Sequence, residues 1–284
     1  MSDSVLSWLF ETKAVRVCPE GAPFWYTSGK LGPFYINTHF LYGSQRAAEE
    51  LLSVIEQAAA GDRLAFARTV LAHVRRQYAE NEIYRRLMNQ MVEAARAMEF
   101  DFVSGGERRD FFFSLLIADR LGKPHVSIFK DMETVYDEAG FETSCRASEA
   151  ELTGKRALHV ADLVTEASSY VRAWIPAIEA LGAKIAASVA VVDRDQGGRE
   201  VLADAGIPLT TLVKIEPSLF ETAHRLGVVT EEQLSMVLSF MNDPNRFMHD
   251  FFAAHPSFLA EQKALGGKAK ERAELCIQKG FDRL

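Results

Sequence analysis

Three short stretches carry side chains of the kinds that handle phosphate and sugar. HVADLVTEASSY, His159 to Tyr170, ends an apolar run on one acid, Asp162, and then offers Thr165, Ser168 and Ser169 before a new helical pattern begins. Hydroxyls and free backbone N–H groups at a strand-to-helix turn cradle a phosphate, and an acid at the strand end accepts hydrogen bonds from ribose hydroxyls or helps to hold a metal. The same stretch also reads as an Asp and a Ser capping an ordinary turn, because Glu166 sets a negative charge where a phosphate would sit. In VSGGERRDFFFS, Gly105 and Gly106 permit a tight turn and Arg108 and Arg109 begin a helix. That is a phosphate or pyrophosphate seat, or else a turn with a solvated cap. In VVDRDQGGRE, Arg194 closes a strand and could engage a carboxylate through two parallel hydrogen bonds, whereas Asp195 and Arg199 read as solvated turn charges.

The elements that must position these groups follow from periodicity. FDFVS, HVSIFK, RALHVAD, KIAASVAVVDR and LTTLVKI are short apolar runs rich in β-branched residues, most of them separated by helical stretches. This alternation predicts an α/β fold with a parallel twisted sheet and flanking helices, in which ligands gather at the carboxyl ends of the strands. Ahead of that core, FWYTSGKLGPFYINTHF reads as two β-rich runs joined by SGKLGP, a hairpin or hood. Ser44 to about Glu99 is helical in pattern, interrupted at Gly61. After Glu216 no strand pattern recurs, and Thr230 with Gln233 forms a capping box opening one of several helices. The expected divisions are an N-terminal helix and hood (1–43), a helical insertion (44–99), an α/β core (100–215) and a helical C-terminal extension (216–284). The extension is expected to pack on the sheet domain or on a partner subunit.

Composition narrows the function classes. With 284 residues, 48% hydrophobic and 25% charged, and a formal charge of -7, the chain lacks the basic face that nucleic acid requires. It shows neither a signal-peptide pattern nor an apolar run of membrane-spanning length, so the cytoplasm is the expected compartment. Cys18, Cys145 and Cys276 lie far apart without metal-ligand spacing and read as reduced thiols. No metal-ligand set stands out, and GxSxG, P-loop and GxGxxG signatures are absent.

Taken in this order, the hood, the ADLVTEASS loop and the Asp-Arg strand end resemble the type I phosphoribosyltransferase family, and within it the orotate phosphoribosyltransferases. The resemblance covers roughly Phe24 to Lys214. It implies transfer of phosphoribosyl from 5-phosphoribosyl 1-diphosphate (PRPP) to orotate, with Mg2+ accompanying PRPP and a homodimer as the working form. Residue by residue, Lys30, Phe34 and Tyr35 match the hood that holds the base. Thr165 matches the loop threonine that meets the base, and Arg194 the arginine facing the orotate carboxylate. Asp162 is the one remaining member of the family's acid pair, and Lys130 one member of its Arg-Lys pair; these two are the catalytic candidates. Gly105, Gly106, Arg108, Arg109, Ser168 and Ser169 are the phosphate and pyrophosphate candidates.

The departures are local. Ala161 replaces the second acid, Glu166 and Ala167 occupy the phosphate loop where the family has a small residue and a glycine, and Phe129 replaces the Arg beside Lys130. The stretch Asp131 to Glu138, where the family has a mobile loop bearing Lys and His, is acidic and has neither. Weakened activity is the expectation. A second reading is a non-catalytic regulator of the same fold that binds orotate or a pyrimidine nucleotide.

Overall fold

A computed structural model describes residues 3–283. In chain order, α1 (Asp3–Glu11) leads into four short strands, β1 (Val15–Val17), β2 (Phe24–Trp25), β3 (Leu31–Gly32) and β4 (Phe34–Ile36). Three helices follow, α2 (Gln45–Ala60), α3 (Phe66–Glu80) and α4 (Glu82–Arg96). Next come β5 (Phe102–Gly106), α5 (Phe111–Leu121), β6 (His125–Ile128), β7 (Thr134–Asp137) and β8 (Ser144–Arg146). The core closes with β9 (Arg156–Val164), α6 (Ile175–Glu179), β10 (Lys184–Asp193), α7 (Gly198–Asp204) and β11 (Leu209–Lys214). The remaining helices are α8 (Pro217–Arg225), α9 (Glu231–Asn242), α10 (Pro244–Ala254), α11 (Phe258–Leu265) and α12 (Gly267–Gln278). No helix among the described residues is long and apolar enough to cross a membrane.

The chain divides into two compact units whose boundaries cut across the linear order. One unit holds residues 1–14 and 38–215; the other joins 15–37 to 216–284.

In the first unit a seven-stranded sheet runs in the order β11-β10-β9-β5-β6-β7-β8. The first five strands are parallel, as their run-like apolar sequences imply, and β7 and β8 add antiparallel at one edge. These last two strands correct the sequence reading of Asp131–Glu138 as a loop. Phe129 N–H donates to Glu133 O at 2.9 Å, and Arg63 bridges Asp131 and Glu133, so the acidic stretch turns tightly into β7. Helix α5 is buried on every side, with Phe111, Phe112 and Phe113 each fully inaccessible. It lies between strand β5 and helices α3 and α4, which explains its all-round apolar sequence. Ser44 caps α2 and Asn81 caps α4, each accepting a backbone N–H through its side chain.

In the second unit β1 pairs with β4 and β2 with β3, both antiparallel. The hood is therefore two small ladders, and Thr38 to Phe40, read from sequence as the end of the second β-rich run, belong instead to the first unit, in a 3-10 turn over Thr38–Tyr42. Phe34 packs between Phe220 and Phe240, and Leu31 joins Phe247, Met248 and Cys276. The C-terminal helices supply the cover for the hood's apolar side chains. Thr230 and Gln233 form the expected capping box at α9.

Candidate active site

In-register parallel pairing sets the ends of β5 and β9 on one edge of the sheet, and a concavity of about 350 Å³ opens there. Arg108, Arg109, Lys130, Asp162, Thr165, Ser168 and Ser169 line it, together with Ala161, Asp110 and Trp174. Seven positions singled out from three distant stretches of sequence thus share one cavity.

The glycines act differently from the sequence expectation. Gly105 and Gly106 are the last residues of β5 rather than a turn, and each is small because of a close neighbour. A Cβ on Gly105 would stand 2.2 Å from Ser114 Oγ, and one on Gly106 would stand 2.3 Å from the Trp174 ring. Arg108 and Arg109 likewise do not begin a helix. They lie in the turn between β5 and α5, whose Glu107–Arg108 peptide is cis. Arg108 is paired with Glu56, whereas Arg109 has no ion pair among the described residues. Lys130 is held by Glu107, through Nζ at 3.3 Å and through its backbone N–H at 3.0 Å. Of the cavity's three cations two are therefore engaged, and four acids face them: Glu107, Asp110, Asp162 and Glu166.

The loop after β9 takes up left-handed backbone at one position, Ala167, whose φ of +52° costs a residue with a Cβ roughly 1 kcal/mol. Ser168 and Glu166 are exposed and Ser169 half-buried. The following helix begins as a π-helical turn, Tyr170–Trp174, in which Ile175 N–H donates to Tyr170 O. Pro176 supplies the reason: it has no N–H to continue the regular ladder and crowds the carbonyl four residues before it.

Asp162 is 9% exposed, and its Oδ2 has no hydrogen-bond partner. Burial, and next the negative charge of Asp110, push its carboxyl well above the usual range, while Arg109 pulls the other way. Beneath it lie polar groups that the sequence did not disclose as functional. Asp110 accepts from Gly106 N–H and from Asp162 N–H, both at 3.0 Å. His159 stacks on Trp174 and meets Ser104 through Nδ1 at 3.0 Å. Tyr170 bonds Ser188, which in turn donates to His159 O.

Arg194, at the end of β10, is held by its backbone N–H to Val164 O and is not among the residues lining this cavity. The charges beside it keep solvent contact, as the sequence suggested, and each also has a partner. Arg199 binds the buried Asp193, Leu209 O and Thr211, and Asp195 pairs with Lys214. In the other unit, Lys30 donates to Asn245 Oδ1 at 3.1 Å and lies over the Phe281 ring. Phe34 is 4% exposed within the aromatic cluster, and Tyr35 packs beside Phe24 and Tyr26.

A sheet with flanking helices, whose strand ends carry an arginine turn, a hydroxyl-rich loop and a buried acid, defines an α/β protein with its candidate site at the carboxyl ends of the strands. No protein-family model matches the chain. It is 30% identical over 165 residues to an orotate phosphoribosyltransferase from Pyrobaculum aerophilum, covering 57% of this chain and 80% of that protein. It is also 30% identical over 142 residues to an adenine phosphoribosyltransferase from Cupriavidus necator, covering 46% of this chain and 73% of the other. Among solved structures, Leishmania donovani UMP synthase superposes with a TM-score of 0.57 at 18% identity, over 85% of this chain and 42% of that one, which is a likeness of fold. The chain belongs to the type I phosphoribosyltransferase family.

Proposed function

We propose that the protein transfers the phosphoribosyl group from PRPP to orotate, in pyrimidine nucleotide biosynthesis, with weakened turnover. The observation that carries this reading is the cavity that the Arg109 turn and the Thr165–Ser169 loop line together with the buried carboxylate of Asp162, whose Oδ2 has no hydrogen-bond partner. The name borne by the Pyrobaculum relative supports orotate as the base.

In this reading the 5-phosphate sits on the hydroxyls and backbone N–H groups of the Thr165–Ser169 loop, and Asp162 accepts from the ribose hydroxyls. Arg108 and Arg109 receive the pyrophosphate, and Lys130 joins them when released from Glu107. Thr165 and Arg194 are assigned to the base. The C1–O bond to pyrophosphate breaks as the base nitrogen bonds C1; the electron pair leaves with the pyrophosphate, and the nitrogen's proton passes to the departing pyrophosphate or to solvent. Holding the sugar, neutralising the leaving group and excluding water are the tasks left to the chain's own residues.

Among the described residues no cluster of three or more His, Cys, Asp or Glu could hold a metal ion. Mg2+ characteristically binds through one or two carboxylates and the substrate's own phosphates, so Asp162, which lines the cavity, is the carboxylate that would hold an ion arriving with PRPP. When bound, it supplies charge neutralisation to the departing pyrophosphate.

The weakening has local causes. Glu166 repels the phosphate, Ala161 offers no acceptor, Glu107 holds Lys130, and the tight turn into β7 leaves no cationic loop to close the site. We place the protein in the cytoplasm as a homodimer, an assembly that sedimentation at micromolar concentration reads directly. Loss of orotate absorbance with PRPP and magnesium, with adenine as the alternative base, tests the reaction. The expected kcat for orotate is below ~1 s-1, the bottom of the usual enzyme range. Consumption of adenine instead, or failure to bind either orotate or PRPP, would overturn the reading.

A further inference from the structure

Asp110 stands where an acid ordinarily caps a helix, immediately before α5, yet its side chain makes no cap hydrogen bond. It turns the other way. One oxygen accepts from Gly106 N–H, at the end of β5, and the other from Asp162 N–H, at the end of β9. The two strands that frame the cavity are thus joined at their carboxyl ends through one carboxylate. That carboxylate is 7% exposed and lines the cavity.

The surroundings keep it aimed. His159 Nε2 lies 3.6 Å from Asp110 Oδ2 and has no hydrogen-bond partner of its own, while its Nδ1 meets Ser104 Oγ. His159 is completely buried against Trp174 and Tyr170, so its ring is fixed by packing. Trp174 in turn fills the space that a Cβ on Gly106 would need. The arginine turn from Glu107 to Arg109 is anchored at Gly106 on one side and at Asp110 on the other. Loss of the Asp110 side chain therefore removes the tie between the start of that turn at Gly106 and the Asp162 strand end.

We infer that Asp110 is a positioning residue for the donor's pyrophosphate: its carboxylate clasps the arginine turn to the Asp162 strand end and so fixes the distance between cation and acid. The inference rests on the proposed binding of PRPP in this cavity. It also gives the missing acid at Ala161 a structural counterpart, a carboxylate entering the same corner from the facing loop.

The test compares the full-length protein with Asp110→Ala and Asp110→Asn, measuring the binding of magnesium pyrophosphate, PRPP and orotate by calorimetry. Asp110→Ala is expected to weaken pyrophosphate and PRPP by at least tenfold and to leave orotate within twofold. Asp110→Asn keeps the volume and one acceptor but turns an N–H toward a backbone donor, so an intermediate loss is expected. A merely structural role would weaken all three ligands together, in step with a lowered melting temperature, and that result overturns the inference. So does a folded Asp110→Ala protein that binds pyrophosphate as the unaltered protein does. If Asp110→Ala fails to fold, the ligand split in Asp110→Asn decides. An unaltered protein that binds neither PRPP nor pyrophosphate removes the donor-site reading and this inference with it.

Discussion

Asp162 is the residue on which chemistry and stability meet. Its carboxyl is raised first by burial and then by the charge of Asp110. A carboxyl whose folded pKa lies above its unfolded value favours the folded state in its protonated form. That contribution is complete below the unfolded value of ~4 and is lost as pH rises toward about 7. Asp162→Asn cannot ionise, so its stability relative to the unaltered protein should change little at pH 4 and should grow by on the order of 4 kcal/mol by pH 8. Denaturant titration at the two pH values reads the difference. An equal gap at both would show that ionisation of Asp162 carries no strain.

The loop after β9 and the hairpin after β6 explain why an inherited site is expected to work slowly. The loop retains left-handed backbone at Ala167 and hydroxyls at Thr165, Ser168 and Ser169, but Glu166 adds an exposed negative charge. Beside it, Ala161 lines the cavity without an acceptor. Ala161→Asp and Glu166→Gly together should strengthen PRPP binding by about 1–2 kcal/mol, roughly tenfold. The pair should exceed the sum of the single changes if both groups meet one ligand. Calorimetry on the four proteins closes that cycle, and strict additivity would place the two side chains on different parts of the ligand. The hairpin is a harder change to reverse, because Arg63 ties Asp131 and Glu133 down and β7 pairs along its length with β6.

For the molecule as a whole, residues 15–37 and 216–284 form one compact unit although about 180 residues separate them in the chain. Within it, Arg272 donates to Thr27 O, Lys279 to Ser28 O and Lys30 to Asn245, so the SGK turn is gripped by the C-terminal helices. A chain ending at Ile215 would strip Phe34 of Phe220 and Phe240, and Leu31 of Phe247 and Met248. Exposing that many large apolar side chains forfeits roughly 1.5–3 kcal/mol for each. The truncated chain should aggregate, or yield to protease between Val17 and Tyr35 while the sheet unit resists. Uniform resistance would show that the hood folds without the extension.

Sequence alone determined the elements whose signal is local. Strands β5, β6, β9 and β10 read as continuous runs because both of their faces are buried, and α9 was announced by its own capping box. The hydroxyl loop, the arginine pair and Asp162 were also legible, since each side-chain type sits beside the strand end that presents it. Strands β7 and β8 were not, because a strand as short as TVYD alternates buried and half-buried residues and has no apolar run to betray it. Nor were the partners of Asp110, Arg199 and Lys30, which lie 4 to 215 residues away. A capping pattern and a turn pattern describe what a side chain can do with its neighbours in the chain. Which carboxylate joins β5 to β9, and which helices cover the hood, was decided by packing that brings distant residues within hydrogen-bond reach.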